Sequence, residues 1–191
     1  MIQHSKIMEL ILEKYFKENG YITGRVNSYC DKEPVNDNAD SSPIIHHVFD
    51  HEGLSLGSMN PFYDGALFSF YNCLVKKCLF GKDLNEYAFE YLESFWEAYI
   101  YQNKMFLSQS SEGHEPTGQV IGYFDDILFK YLSKFYGKGY LKDTAIFLFS
   151  DHGQHLNGPL YLFDSQDFYF ERTLPGLFLF LPNYKKLYKN N

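Results

Sequence analysis

Nowhere does this sequence hold an apolar run approaching the roughly 18 residues that a membrane-spanning helix requires. The longest, Thr144 to Phe149 and Gly176 to Leu181, are strand-sized, so no membrane insertion is expected of this segment. Positive charge is in short supply as well: 17 Lys and Arg against 24 Asp and Glu leave a formal net charge of -7. General attraction to nucleic acid or anionic lipid is not expected, because both need a basic surface. Cysteine is scarce. Cys30, Cys73 and Cys78 leave one thiol unpaired whatever bridge forms, their spacing matches no zinc knuckle, and the redox compartment stays undecided. Met1 to Gly20 has neither a smooth apolar stretch nor a small-residue cleavage site, so it reads as no signal peptide and starts like the middle of a protein. Internal repeats and low-complexity tracts are lacking.

What is present is aromatic. Among 191 residues, 45% hydrophobic and 21% charged, there are 19 Phe and 17 Tyr, which predicts a core full of rings in one compact domain or a piece of one. Ile7, Leu10, Ile11 and Tyr15 recur at helical spacing up to Asn19-Gly20. A short strand is predicted over Tyr21 to Val26. The acidic, Asn-rich stretch Asp31 to Ser42, with Pro34, reads as a solvated loop. Helices are predicted around Phe68 to Cys78 and from Leu84 to about Tyr101, the second with a face of Tyr87, Tyr91, Phe95 and Ala98. Lys104 to Leu107 reads as a buried strand. The clearest unit is a helical stripe of Val120, Ile121, Phe124, Ile127, Leu128, Tyr131, Leu132 and Phe135, ended by Gly137 and Gly139. The apolar strand Ala145 to Phe149 follows, giving the α-then-β half of a crossover, and Leu177 to Leu181 makes a second strand. The fold class is therefore α/β, a helix-backed sheet.

Two constellations carry chemistry. Strand Ala145 to Phe149 runs into Ser150-Asp151-His152-Gly153, placing a carboxylate and an imidazole at the carboxyl end of a strand, the edge where open α/β sheets bind ligands. A hard oxygen and an imidazole nitrogen on a tight turn suit a divalent metal such as zinc or manganese. The plainer reading is that Asp151 is a turn or helix cap. The second is Glu112-Gly113-His114-Glu115-Pro116-Thr117-Gly118, which follows the Lys104 strand; its plain reading is a Thr117 helix cap with solvated Glu112, His114 and Glu115. Asp50-His51-Glu52 is a weaker third candidate, since adjacent loop residues seldom converge on one ion.

Taken in order, Gly113-His114-Glu115-x-Thr117-Gly118, Asp125 in a helix, Lys142-Asp143-Thr144, Ser150-Asp151-His152-Gly153, Glu171 and Leu174-Pro175 before a strand resemble the sulfatase-like members of the alkaline phosphatase superfamily. The likeness is closest to eukaryotic sulfatase-like proteins once grouped as a domain of unknown function, and covers about residues 104 to 182. Gly20-Tyr21-x-Thr23-Gly24, Cys30, Asp50-His51-Glu52 and Phe95 to Tyr99 extend it weakly toward the start. The resemblance implies a mixed, largely parallel sheet flanked by helices, alkaline phosphatase-like and incomplete. It implies metal ligation by Asp151 and His152 and a catalytic role for His114, as a second-metal ligand or a contact to the anionic group. Glu115 would bind substrate, and Asp125 and Glu171 would be structural. His155, two residues past the turn, either reaches the site as a substrate contact or is a solvated loop histidine.

The implied cofactor is a divalent metal (zinc, manganese or calcium), and the implied partner is an anionic sulfate or phosphate ester. The nucleophile would come from a strand and helix with no counterpart here, so residues 1–191 are expected to be a partial domain, inactive alone, either a fragment of a hydrolase or an inactive remnant used for binding or structure. The secretory pathway or a membrane-attached setting is expected from the resemblance. Oligomeric state is not legible.

Overall fold

The computed structural model describes residues 12–27, 49–53, 78–110, 112–114 (backbone only at His114), 118–153, 170 and 172–182. Two compact units divide the chain, Met1–Ser111 and Glu112–Asn191. The fold is α/β, with a small parallel sheet flanked by helices.

In the first unit, helix α1 occupies residues 12–18. It stops at Gly20, whose φ of 78° only glycine adopts without strain. The amides of Gly20 and Tyr21 donate back to the carbonyls of Lys17 and Phe16 at 2.9 and 3.0 Å. Of the expected apolar stripe, Ile7, Leu10 and Ile11 lie outside the described residues; Tyr15 is exposed, whereas Glu13, off the stripe, is fully buried. Tyr15 keeps its phenol in water while its ring packs edge-on against Phe16 at 5.9 Å.

Strand β1 (Ile22–Asn27) lies at the centre of a three-stranded sheet, between β2 (His51–Glu52) and β5 (Lys104–Gln109), and pairs with both in parallel. Burial of the consecutive residues Thr23 and Gly24 is the mark of a parallel strand covered on both faces. The strand predicted over Lys104 to Leu107 continues to Gln109, because its register against β1 sets Gln109 opposite Asn27 and Arg25 Nη2 donates to Gln109 Oε1 at 3.1 Å.

β3 (Cys78–Leu79) and β4 (Lys82–Asp83) form an antiparallel hairpin, and helix α2 (Leu84–Ala98) starts directly from it. Asp83 caps the helix by accepting the Asn85 amide at 2.8 Å. The helix ends three residues before the sequence pattern suggests. Tyr99 leaves helical geometry, and the Lys104 ammonium donates to the Tyr99 carbonyl at 2.7 Å, satisfying an orphan acceptor at the helix end. Of the expected face, Phe95 is buried and Ala98 exposed; Leu84, Asn85, Ala88, Phe89 and Glu93 are also buried, so more than one side of the helix is covered. Of the helix predicted around Phe68 to Cys78, residues 68–77 lie outside the described residues, and Cys78 belongs to β3.

Helix α2 packs on β1 and β5 through rings: Phe95 to Phe106 at 5.1 Å and Tyr91 to Phe106 at 5.9 Å. Gly24 makes this contact possible. A Cβ there would fall 2.6 Å from Phe106 Cδ2 and 2.9 Å from Phe95 Cε2, closer than packed carbon atoms tolerate.

In the second unit, a single turn of 3-10 helix (Glu112–His114) precedes helix α3 (Val120–Gly137). The predicted stripe is largely the inward one: Tyr131 and Phe135 are buried, and Phe124, Ile127, Leu128 and Leu132 half-buried, although Ile121 is exposed. Gly139, at φ 76°, turns the chain after the helix. β6 (Ile146–Phe149) pairs with β7 (Leu177–Phe180) in antiparallel fashion. The α3-to-β6 succession is the expected one, and the partner of β6 among the described residues is the following strand.

Candidate metal site at the Asp151–His152 turn

β6 is apolar throughout, and its hydrogen-bonded pairing with β7 continues past Phe149 through Ser150. The Ser150 amide donates to the Gly176 carbonyl at 3.0 Å, and the Ser150 hydroxyl accepts the Gly176 amide at 2.7 Å. Gly153 then donates its amide to the Arg172 carbonyl at 3.0 Å. Both ends of the Ser150–Gly153 turn are therefore tied to the strand of chain entering β7, and Asp151 and His152 project from between the ties.

Within the turn the two side chains are ordered by local hydrogen bonds. Asp151 Oδ1 accepts the His152 amide at 3.0 Å. His152 Nδ1 lies 2.7 Å from the Gly153 carbonyl, and a carbonyl can only accept, so Nδ1 carries the proton. With Nδ1 held by that carbonyl, Nε2 is the nitrogen left to offer a lone pair, the arrangement of a metal-ligating histidine whose other nitrogen is held by a backbone carbonyl. Nε2 lies 3.6 Å from Asp151 Oδ2. Two donor atoms each about 2.0–2.2 Å from one ion at a near-tetrahedral angle stand about 3.3–3.6 Å apart. The donor set and its spacing fit a divalent ion. Asp151 is 74% exposed and His152 38%, so an ion would reach them from solvent.

The structure brings together these two of the expected site residues. His114 closes the 3-10 turn Glu112–His114, and its side chain lies outside the described residues, as do Glu115, His155 and Glu171. Asp125 lies in α3 and is exposed. Among the described residues no group of three or more His, Cys, Asp or Glu side chains gathers as a metal cage, so Asp151 and His152 form a two-donor edge.

Asp50, His51 and Glu52 do not converge. Asp50 Oδ2 accepts the Thr23 amide and hydroxyl at 2.8 and 2.9 Å, and Oδ1 pairs with Lys17 Nζ at 3.0 Å. Burial alone would raise this carboxyl; the Thr23 amide, Lys17 and the Thr23 hydroxyl outweigh it and hold the group below its ordinary range. His51 turns instead to the Tyr99 hydroxyl, 2.6 Å from Nε2, with Phe95 packed edge-on at 5.7 Å. Glu52 is exposed on β2. These residues stitch the parallel sheet to its helices.

Residues 68–189 match the model of a family described as "Protein of unknown function (DUF229)". The chain belongs to the DUF229 family. The DUF229 match takes in α2, β5 and the second unit as far as residue 189, and with it His114, Asp151, His152 and the Arg172 carbonyl that ties the turn; Thr23 and Asp50 precede it. No curated protein and no solved structure matches the chain. No helix among the described residues is long and apolar enough to cross a membrane.

The sequence shows Asp151 and His152 because they are adjacent at the end of an apolar strand, with Ser150 and Gly153 in the same turn. It does not show the partners that tie the turn, Gly176 and Arg172. Ser150 gave a faint signal, a hydroxyl directly after the strand, while the Arg172 tie depends on a distant backbone group and leaves no mark in the local pattern.

Proposed function

We propose that this chain is part of a divalent-metal-dependent hydrolase of sulfate or phosphate esters, with Asp151 and His152 as ligands of the ion. The observation that carries the reading is the 3.6 Å separation of Asp151 Oδ2 and His152 Nε2, with the ring oriented through Nδ1. The fold-level resemblance drawn from the spaced motifs supplies the reaction class.

In this reading a bound zinc, manganese or calcium ion would lower the pKa of an attacking group and neutralise charge developing on the transferred group. The residues of the chain hold and orient. Ser150 and Gly153 fix the turn through backbone hydrogen bonds, Asp151 supplies anionic charge, and the Nδ1 proton keeps the His152 lone pair at Nε2. His114 would add a further ligand or a contact to the anionic group, and Glu115 and His155 would touch the substrate. The substrate is an anionic ester, and the proposed setting is the secretory pathway or a membrane-attached protein.

Titration with zinc or manganese tests the site. The Asp151→Ala and His152→Ala variants are each expected to lose at least about tenfold in affinity, the loss typical of disturbing a metal ligand or its support. Affinities equal to that of the parent would refute the assignment. The other reading, a non-catalytic protein that contacts partners through aromatic surface, draws on the exposed rings of β6 and β7, and it predicts no hydrolysis of sulfate or phosphate esters.

A further inference from the structure

A sulfate or phosphoryl group presents more oxygens than one ion ligates, and a planar guanidinium matches two of them at once. The chain has two arginines, Arg25 and Arg172. Arg25 is committed to the parallel sheet, where Nη2 donates to Gln109 Oε1 at 3.1 Å and the guanidinium lies 5.7 Å from the Phe49 ring centroid. Arg172 is placed differently. Its carbonyl accepts the Gly153 amide at 3.0 Å, which pins its backbone to the residue that follows His152. The residue is exposed, and among the described residues no side-chain partner holds its guanidinium.

Charge makes this placement meaningful. A chain with a formal net charge of -7, and with the open carboxylate of Asp151 in the turn, repels an anionic ester unless positive charge is fixed nearby. A metal on Asp151 and His152 supplies part of it. An arginine tethered at the same turn supplies the rest in a form that also orients the ester, because its fork holds two oxygens in one plane, whereas a lysine offers a point charge.

We propose that Arg172 is the anion-recognition residue of the Asp151–His152 turn, its guanidinium binding two oxygens of the sulfate or phosphate group beside the ion. The proposal rests on the metal-site reading above and names the residue that selects an oxyanion ester as the ligand of that site.

The test uses the full chain and two separate probes, zinc alone and inorganic sulfate, the latter titrated with and without saturating zinc into the parent, Arg172→Gln and Arg172→Lys. The expected result is that Arg172→Gln weakens sulfate binding by about 10-fold or more, the loss expected for charge-assisted hydrogen bonds. Arg172→Lys recovers part of it, and zinc affinity stays within about twofold in both. Sulfate binding unchanged in Arg172→Gln, or absent in the parent, overturns the proposal and leaves Arg172 a solvated surface cation. Loss of zinc together with sulfate also overturns it, since Arg172 would then be holding the turn. A parent that binds sulfate but not zinc, with the sulfate lost in Arg172→Gln, upholds the arginine and removes the metal reading.

Discussion

Glu13 is fully buried, and among the described residues neither carboxyl oxygen receives a hydrogen bond; the nearest cation is Lys17 Nζ at 3.7 Å, itself shared with Asp50. Burial pushes its pKa above 4.5, and Lys17 offsets part of that push. The folded state therefore binds the Glu13 proton more tightly than the unfolded chain does. Its contribution to stability is present below the unfolded value and is lost as pH rises through the raised one. Asp50 runs the other way: held below 3.8, it contributes above its unfolded value and loses that contribution as pH falls through the folded one. Urea midpoints followed against pH separate the two. Glu13→Gln is expected to flatten the decline above pH 4.5 and, at neutral pH, to stabilise the chain by on the order of 1–2 kcal/mol by removing a buried charge. Parallel profiles for parent and variant would rule this out. Helical spacing hid the feature, because a glutamate off the apolar stripe reads as solvated when its helix is taken alone.

At the scale of elements, the hairpin β3–β4 holds a local conflict. Its two-residue loop, Phe80-Gly81, has φ of 51° and 80°, the pair of positive values of a type I′ turn, where Asn-Gly is favoured. Phe80 bears the left-handed conformation while 86% exposed, so its ring gains little from burial. Replacing Phe80 by Asn is expected to raise stability by about 1 kcal/mol, since left-handed backbone costs a bulky residue about 1–2 kcal/mol. Thermal melts of the two proteins decide it, and a lower midpoint for Phe80→Asn would contradict the turn assignment. The longer elements were legible from pattern alone. The β1, α2, β5, α3, β6 and β7 segments each announce themselves by helical spacing or a short apolar run between polar stretches. Their ends were less so: Tyr99 stops α2 because Lys104 takes its carbonyl, and Gln109 extends β5 because β1 runs beside it. The Asp-His pair could be read because it is local; the ties from Gly176 and Arg172 join positions far apart in the chain and no local pattern encodes them.

Across the whole molecule, apolar surface and charge pull in different directions. The register of β6 and β7 sets Phe147 opposite Leu179 and Phe149 opposite Leu177 on one face, with Ile146 opposite Phe180 and Leu148 opposite Phe178 on the other. Both faces are thus apolar, and seven of these eight residues are counted among the exposed large hydrophobics, Phe178 at 70%. Such a surface favours association between chains, while a net charge of -7 opposes it. The double change Phe147→Thr and Leu179→Thr keeps strand propensity while removing one apolar pair. It is expected to lower light scattering and the binding of a hydrophobic dye and leave the circular dichroism spectrum unchanged; scattering equal to that of the parent would show that this face is not what draws chains together.

The backbone ties at Ser150 and Gly153 also bear on how an ion would be captured. Main-chain amides and carbonyls set the turn, so the backbone that carries Asp151 and His152 is already in place when a cation arrives. At these two donors little of the binding energy would be diverted into ordering the chain, in contrast to small zinc domains that fold only when loaded.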